Sequence, residues 1–101
     1  MAYKNFIILS LFVSFAHMEN MVSLKGKIID SKSKEPLIGA NVVIKGTAQG
    51  SATNVDGEFF ISDLSQSIVN LQVSYIGYKT KTTSDIEIKG DVSSEIVIEL
   101  D

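Results

Sequence analysis

Oxygen-bearing side chains crowd one stretch, ATNVDGEFFIS, residues 52–62, where Thr53, Asn54, Asp56 and Glu58 surround an Asp-Gly pair. Such a cluster could bind calcium, supply a carboxylate pair for acid–base work, or shape a tight turn. A calcium loop needs six or more oxygen ligands at set spacing, and the alternating acids stop at Glu58, where Phe59 and Phe60 follow. An acid–base pair needs apolar surroundings that raise one carboxyl, and Asp56 and Glu58 lie in a polar stretch. The turn fits best. Gly57 accepts a positive φ without a clash, and the side chains of Asn54 and Asp56 can bond turn amides. Residues 51–53 and 58–61 are strand-like, so a hairpin centred on Asp56 and Gly57 is expected.

Other arrangements for chemistry are weaker. His17 is the single histidine, so neither a Ser-His-Asp nor a Cys-His system can be assembled, and a histidine-built metal site is equally short of ligands. Gly46 and Gly50 in KGTAQGSA are spaced loosely like a phosphate loop, without its Lys-Ser/Thr pair or strand-to-helix step. They read as turn glycines. Tyr75, Ile76 and Tyr78 form an aromatic cluster around Gly77. Two readings stand: a core packed beneath a Gly77 turn or bulge, or a stacking platform for sugar rings.

The elements that must carry these residues come from a chain of 101 residues, one domain at most. Lys4 followed by FIILSLFVSFA has the charged and apolar regions of a secretory signal peptide, cut after Ala16; the apolar stretch is too short for a membrane helix. The expected organisation is a signal peptide over 1–16, a leader over 17–23 and a domain over 24–101. The mature chain holds eight Lys, no Arg and twelve Asp and Glu, with no clustered basic face, which argues against nucleic acid as a partner. With no cysteine it has no disulfide framework, thiol nucleophile or thiolate metal site. Its apolar core must hold it together.

Alternation with period two supplies that core. Val22, Leu24, Gly26 and Ile28 share one face, and Ala40, Val42 and Ile44 share another. Phe59 and Ile61 come next, then Leu71, Val73 and Tyr75. Tyr78, Thr80 and Thr82, then Ile86 and Ile88, then Ile96, Ile98 and Leu100 complete the series. No mature window shows helical spacing. About seven short strands with Gly, Asn, Asp and Ser turns predict an all-β, antiparallel β-sandwich.

The order of Pro36-Leu37, Gly39-Ala40-Asn41-Val42, Lys45-Gly46-Thr47, Asp56-Gly57 with Phe59, and Ser74-Tyr75 with Gly77-Tyr78 resembles the carboxypeptidase regulatory-like domain. It is similar in particular to the copy that forms an N-terminal extension of SusC-like TonB-dependent outer-membrane receptors. Asn54 stands where that family commonly has Asp. The resemblance implies a seven-stranded, Greek-key, transthyretin-like sandwich in which Pro36, Gly39, Gly46, Asp56, Gly57 and Gly77 are structural turn positions. It also implies an exported, non-enzymatic interaction domain of the periplasm or outer membrane, without a cofactor, catalytic residue or metal, and with no transmembrane segment in the mature chain. Its partner would be a protein, such as TonB-linked machinery or a plug and barrel downstream. The zinc carboxypeptidases that carry related accessory domains lend no activity, because the peptidase's His and Glu ligands are absent. The chain would be either a receptor fragment or a free-standing domain. The alternative function is a free-standing carbohydrate-binding or cell-surface adhesion module, with Phe60, Tyr75 and Tyr78 as its contact aromatics.

Overall fold

The computed structural model describes residues 22–88 and 95–101, so the expected signal peptide and most of the expected leader lie outside the described residues. Seven strands are present: β1 (Val22–Asp30), β2 (Asn41–Ile44), β3 (Gly50–Ala52), β4 (Glu58–Leu64), β5 (Ile68–Ser74), β6 (Lys81–Glu87) and β7 (Glu95–Leu100). They form two sheets, one ordered β4-β1-β7 and the other β3-β2-β5-β6. The steps from β1 to β2, β3 to β4, β4 to β5 and β6 to β7 change sheet, the interleaving of a Greek-key sandwich.

The alternating apolar positions face inward from both sheets. Ile28, Val42, Ile44, Leu64, Leu71, Val73 and Leu100 are fully buried, joined by Leu24, Phe59, Ile61, Val69 and Ile98. Each fully buried Leu, Ile, Val or Phe side chain stabilises the fold by about 1.5–3 kcal/mol. Gly26 interrupts the buried face of β1 for a packing reason. A Cβ there would stand 2.5 Å from the Phe59 ring and 2.8 Å from Ile96 Cγ1, so the missing side chain is the slot that Phe59 fills.

The structure departs from the sequence reading in two places. Four ladders are antiparallel, but β1 and β7 run parallel, pairing Lys25 through Asp30 with Glu95 through Leu100. Alternation sets which face is buried and is silent on strand direction. Residues 78–82 and 86–88, read as two strands, contribute to one, because Tyr78 lies in the turn after β5 and Ile88 beyond the end of β6. The count of seven is met by β3, which overlaps the run 51–53 read as strand-like beside the Asp-Gly turn, although its Gly-Ser-Ala sequence has no buried position. β1 begins at Val22, opposite Leu64, where the alternation starts.

Candidate interaction surface

The expected hairpin at Asp56-Gly57 is a corner between the sheets. β3 pairs with β2 in one sheet and β4 with β1 in the other, so the chain makes its tight turn and the flanking strands diverge. The local chemistry remains that of a turn. Asn54 N–H donates to Glu58 O at 2.9 Å, and Gly57 N–H donates to Asn54 O at 2.9 Å. Asn54 Oδ1 accepts the amides of Asp56 at 3.0 Å and Glu58 at 2.9 Å. Asp56 lends its amide, while its exposed carboxylate accepts no hydrogen bond among the described residues. Asn54 is therefore the side chain that closes the corner.

Gly57 is buried against β1 at φ 75°, where its carbonyl accepts Ile28 N–H at 2.8 Å. Pro36 forms an isolated antiparallel bridge with Ile29 and lies directly over Gly57. Gly39 donates its amide to Thr53 O at 2.9 Å, Gly46 sits in the β2–β3 hairpin closed by Thr47 N–H on Ile44 O at 3.1 Å, and Gly77 sits in the turn closed by Tyr78 N–H on Tyr75 O at 3.0 Å. All four glycines have φ between 75° and 87°.

Thr53, one of the four oxygen-bearing residues around the Asp-Gly pair, is the buried polar residue of the core. Its hydroxyl accepts Ala40 N–H at 2.8 Å and donates to Leu37 O, while its own amide and carbonyl bond Ala40 O and Gly39 N–H, each at 2.9 Å. These four bonds fasten residues 37–40 across the end of the sandwich.

The aromatic cluster divides between two places. Tyr75 and Tyr78 are half-buried against the core with ring centroids 5.6 Å apart and planes tilted by 43°. They do not form a coplanar platform. Phe60 is 57% exposed on β4, in the other sheet, beside a groove of about 300 Å³ lined by Lys25, Ser51, Ala52, Asn54 and Glu58. The three rings therefore do not converge on one ligand.

Tyr78 has a structural partner that the sequence did not reveal. Its hydroxyl donates to Asp30 Oδ2 at 2.7 Å, while Asp30 Oδ1 accepts the amides of Lys32 and Ser33, each at 2.8 Å. These donors, led by the Ser33 amide and the Tyr78 hydroxyl, lower the Asp30 carboxyl to about 2, and the same contact raises the Tyr78 phenol. Because the folded carboxyl is depressed, its stabilisation is complete above its ordinary value of 3.8 and is lost as pH falls towards about 2. The Tyr78 shift has the opposite sign: that contribution is present below the phenol's ordinary 10.0 and is lost as pH rises past it. The melting-temperature difference between wild type and Asp30→Asn is expected to be largest from pH 4 to 8 and to close as pH approaches 2. A difference that stays constant between pH 5 and 2 would show that the carboxylate does not hold this junction.

Three loops meet at the Asp30 and Tyr78 end of the sandwich and leave large aliphatic side chains in solvent. Ile38 is 54% exposed, Val55 69% and Ile76 91%. An open groove of about 460 Å³ lies between Gly39, Asn41, Ser74, Tyr75 and Ile76. Ile76 stands at a turn tip outside either sheet, while Phe60 on β4, Ile68 on β5 and Val97 on β7 are exposed to much the same degree as Ile38. An isoleucine set beside a turn glycine with no strand phase to bury it was the readable signal. The edge of β4 offers less. On β4 the amide and carbonyl of Glu58 are both taken by Asn54, and Gln49 Nε2 reaches the carbonyls of Ser62 and Asp63 at 3.5 and 3.3 Å. Only a short window at Phe60 is left between them. Short, interrupted edges of this kind resist strand addition.

Comparison with known proteins places this geometry in context. The family model described as CarboxypepD_reg-like domain matches residues 24–101. The chain is 40% identical over 73 residues to the TonB-dependent receptor SusC of Bacteroides thetaiotaomicron, covering 72% of this chain and 7% of that protein. It is 31% identical to the TonB-dependent receptor P39 of Formosa agariphila, covering 92% of this chain and 10% of the receptor. The chain thus spans a tenth or less of the length of these relatives. A chain of a type II Cohesin-X-Dockerin complex from Acetivibrio cellulolyticus superposes with a TM-score of 0.63 at 20% identity, over 74% of this chain and 52% of that one, which shows a shared fold.

Proposed function

The chain belongs to the CarboxypepD_reg-like domain family, and we propose on that premise that it is a non-catalytic interaction domain of the cell envelope, the periplasmic N-terminal extension of a TonB-dependent nutrient receptor or a fragment of one. The observation that carries the reading is the similarity to the receptor SusC over most of this chain, at a small fraction of the receptor's length. In this reading residues 1–16 direct export and are removed, and the sandwich meets a protein partner, either energy-coupling machinery or the plug and barrel of the receptor. The surface that makes contact is the end bearing Ile38, Val55 and Ile76, with affinity from burying those side chains and the groove beside Tyr75. Carbohydrate binding has less support, because Tyr75 and Tyr78 are tilted and half-buried while Phe60 lies apart.

Site-specific photocrosslinking in cells tests both the place and the face. A photoreactive residue at Ile76 is expected to crosslink to an envelope protein, whereas one at exposed Ser84 on β6 is not. Recovery of the protein in the cytoplasm, or equal crosslinking from both positions, would overturn the proposal.

A further inference from the structure

The parallel β1–β7 ladder joins the first described strand to the last. Six consecutive pairs, Lys25 with Glu95 through Asp30 with Leu100, run in the same direction, so the start of β1 and the end of β7 lie at opposite ends of the sandwich. A pull applied at Val22 and Asp101 therefore slides the two strands past each other along their length. In that geometry the hydrogen bonds of the ladder share the load and must yield together. A pull that separates two strands from the same end loads them one after another. β1 is held on its other side by five partners in β4, so it cannot swing away to relieve the load.

The end of β7 is also tied down where a pull on Asp101 would enter. Ser31 N–H donates to Leu100 O at 2.9 Å, and Ser31 Oγ donates to Asp101 Oδ1. Just before β6, Lys79 N–H reaches Asp101 O at 2.8 Å, and from the first residue of β6 Lys81 Nζ reaches Glu99 O at 3.0 Å. Lys34 Nζ pairs with the Glu99 carboxylate at 2.9 Å. The exposed ion pair adds little on its own, but the four other bonds join the last three residues of the chain to Ser31, just beyond β1, and to Lys79 and Lys81 at the start of β6. Strands β2, β3 and β5 lie between β1 and β7 in the chain and belong to the other sheet.

We infer that the β1–β7 ladder acts as a shear clamp that resists tension between the two ends of this domain. The clamp is independent of which protein the exposed end contacts.

The absence of cysteine makes the test direct, since introduced thiols are unique attachment points. Two versions of the mature chain share a cysteine appended after Asp101. One also carries Ser23→Cys, which loads the ladder in shear; the other carries Lys32→Cys, in the exposed turn just beyond β1, which peels β7 from β1. Single-molecule pulling at one loading rate is expected to give a rupture force about twofold or more higher for the Ser23 pair, because six pairs resist together. Glu35→Cys provides a second peeling geometry if Lys32→Cys disturbs the turn, and matched melting temperatures establish that the variants share one fold. Equal rupture forces, or a lower force in the Ser23 geometry, would overturn the inference.

Discussion

Gly57→Val is expected to remove about 4 kcal/mol of stability, measured as a lowered midpoint in urea unfolding. Two costs add at this position. The backbone sits at φ 75°, which a β-branched residue resists at about 1–3 kcal/mol. The new Cβ would also stand 2.7 Å from Ile28 O and 2.8 Å from Pro36 Cβ, a clash with main chain that cannot swing aside, worth about 1–3 kcal/mol more. A domain of this size has about 4–12 kcal/mol in total, so the substitution removes from about a third to all of it. Gly77 separates the two costs. It has φ 87°, and an added methyl group would meet nothing within 4 Å, so Gly77→Ala incurs the backbone strain alone. Gly57→Ala should therefore destabilise clearly more than Gly77→Ala, and equal losses would mean that the contact with Ile28 and Pro36 does not constrain the corner.

The sandwich was legible because alternation is a local property, and a residue that faces the core is apolar whatever strand lies beside it. Leu24 and Ile28, Val42 and Ile44, Leu71 and Val73, and Ile98 and Leu100 are buried as the pattern requires. Pairing was not legible to the same depth. The Asp56-Gly57 turn forms, but whether its flanking runs pair with each other depends on distant partners: Val42 takes Ser51 and Gly26 takes Phe59. The β1–β7 direction likewise depends on where the chain re-enters the sheet. Polar residues were the least readable. Thr53 stood in the sequence as one oxygen among four, and nothing local distinguishes it from Asn54, yet one is buried in the core and the other closes an exposed corner. Tyr78 and Asp30 are 48 positions apart, so their contact exists only once both sheets are assembled. The exposed aliphatics Ile38, Val55 and Ile76 break the rule that made the core readable, and the contact proposed above rests on them.

Thr53→Val tests that buried polar residue at constant shape. Valine fills nearly the same volume, so no cavity opens, but the hydroxyl disappears and Ala40 N–H loses its acceptor while Leu37 O loses its donor. Ala40 and Leu37 are themselves buried, which leaves these groups without water to replace the lost bonds. Each such buried group costs about 1–3 kcal/mol, so a loss of about 2–5 kcal/mol is expected in denaturant unfolding. Thr53→Ser keeps the hydroxyl and removes one methyl, a cost of about 1 kcal/mol. The order of stability should therefore be wild type, then Ser, then Val, although Val is the more apolar replacement at a buried site. The loss also has a location. With the hydroxyl gone, residues 37–40 are released from the end of the sandwich, so hydrogen exchange at the Gly39 and Ala40 amides should accelerate more than at Val73 in β5. Valine matching or exceeding serine in stability would mean that burial, rather than the paired hydrogen bonds, holds this strap in place, and the end surface built on it would lose its physical basis.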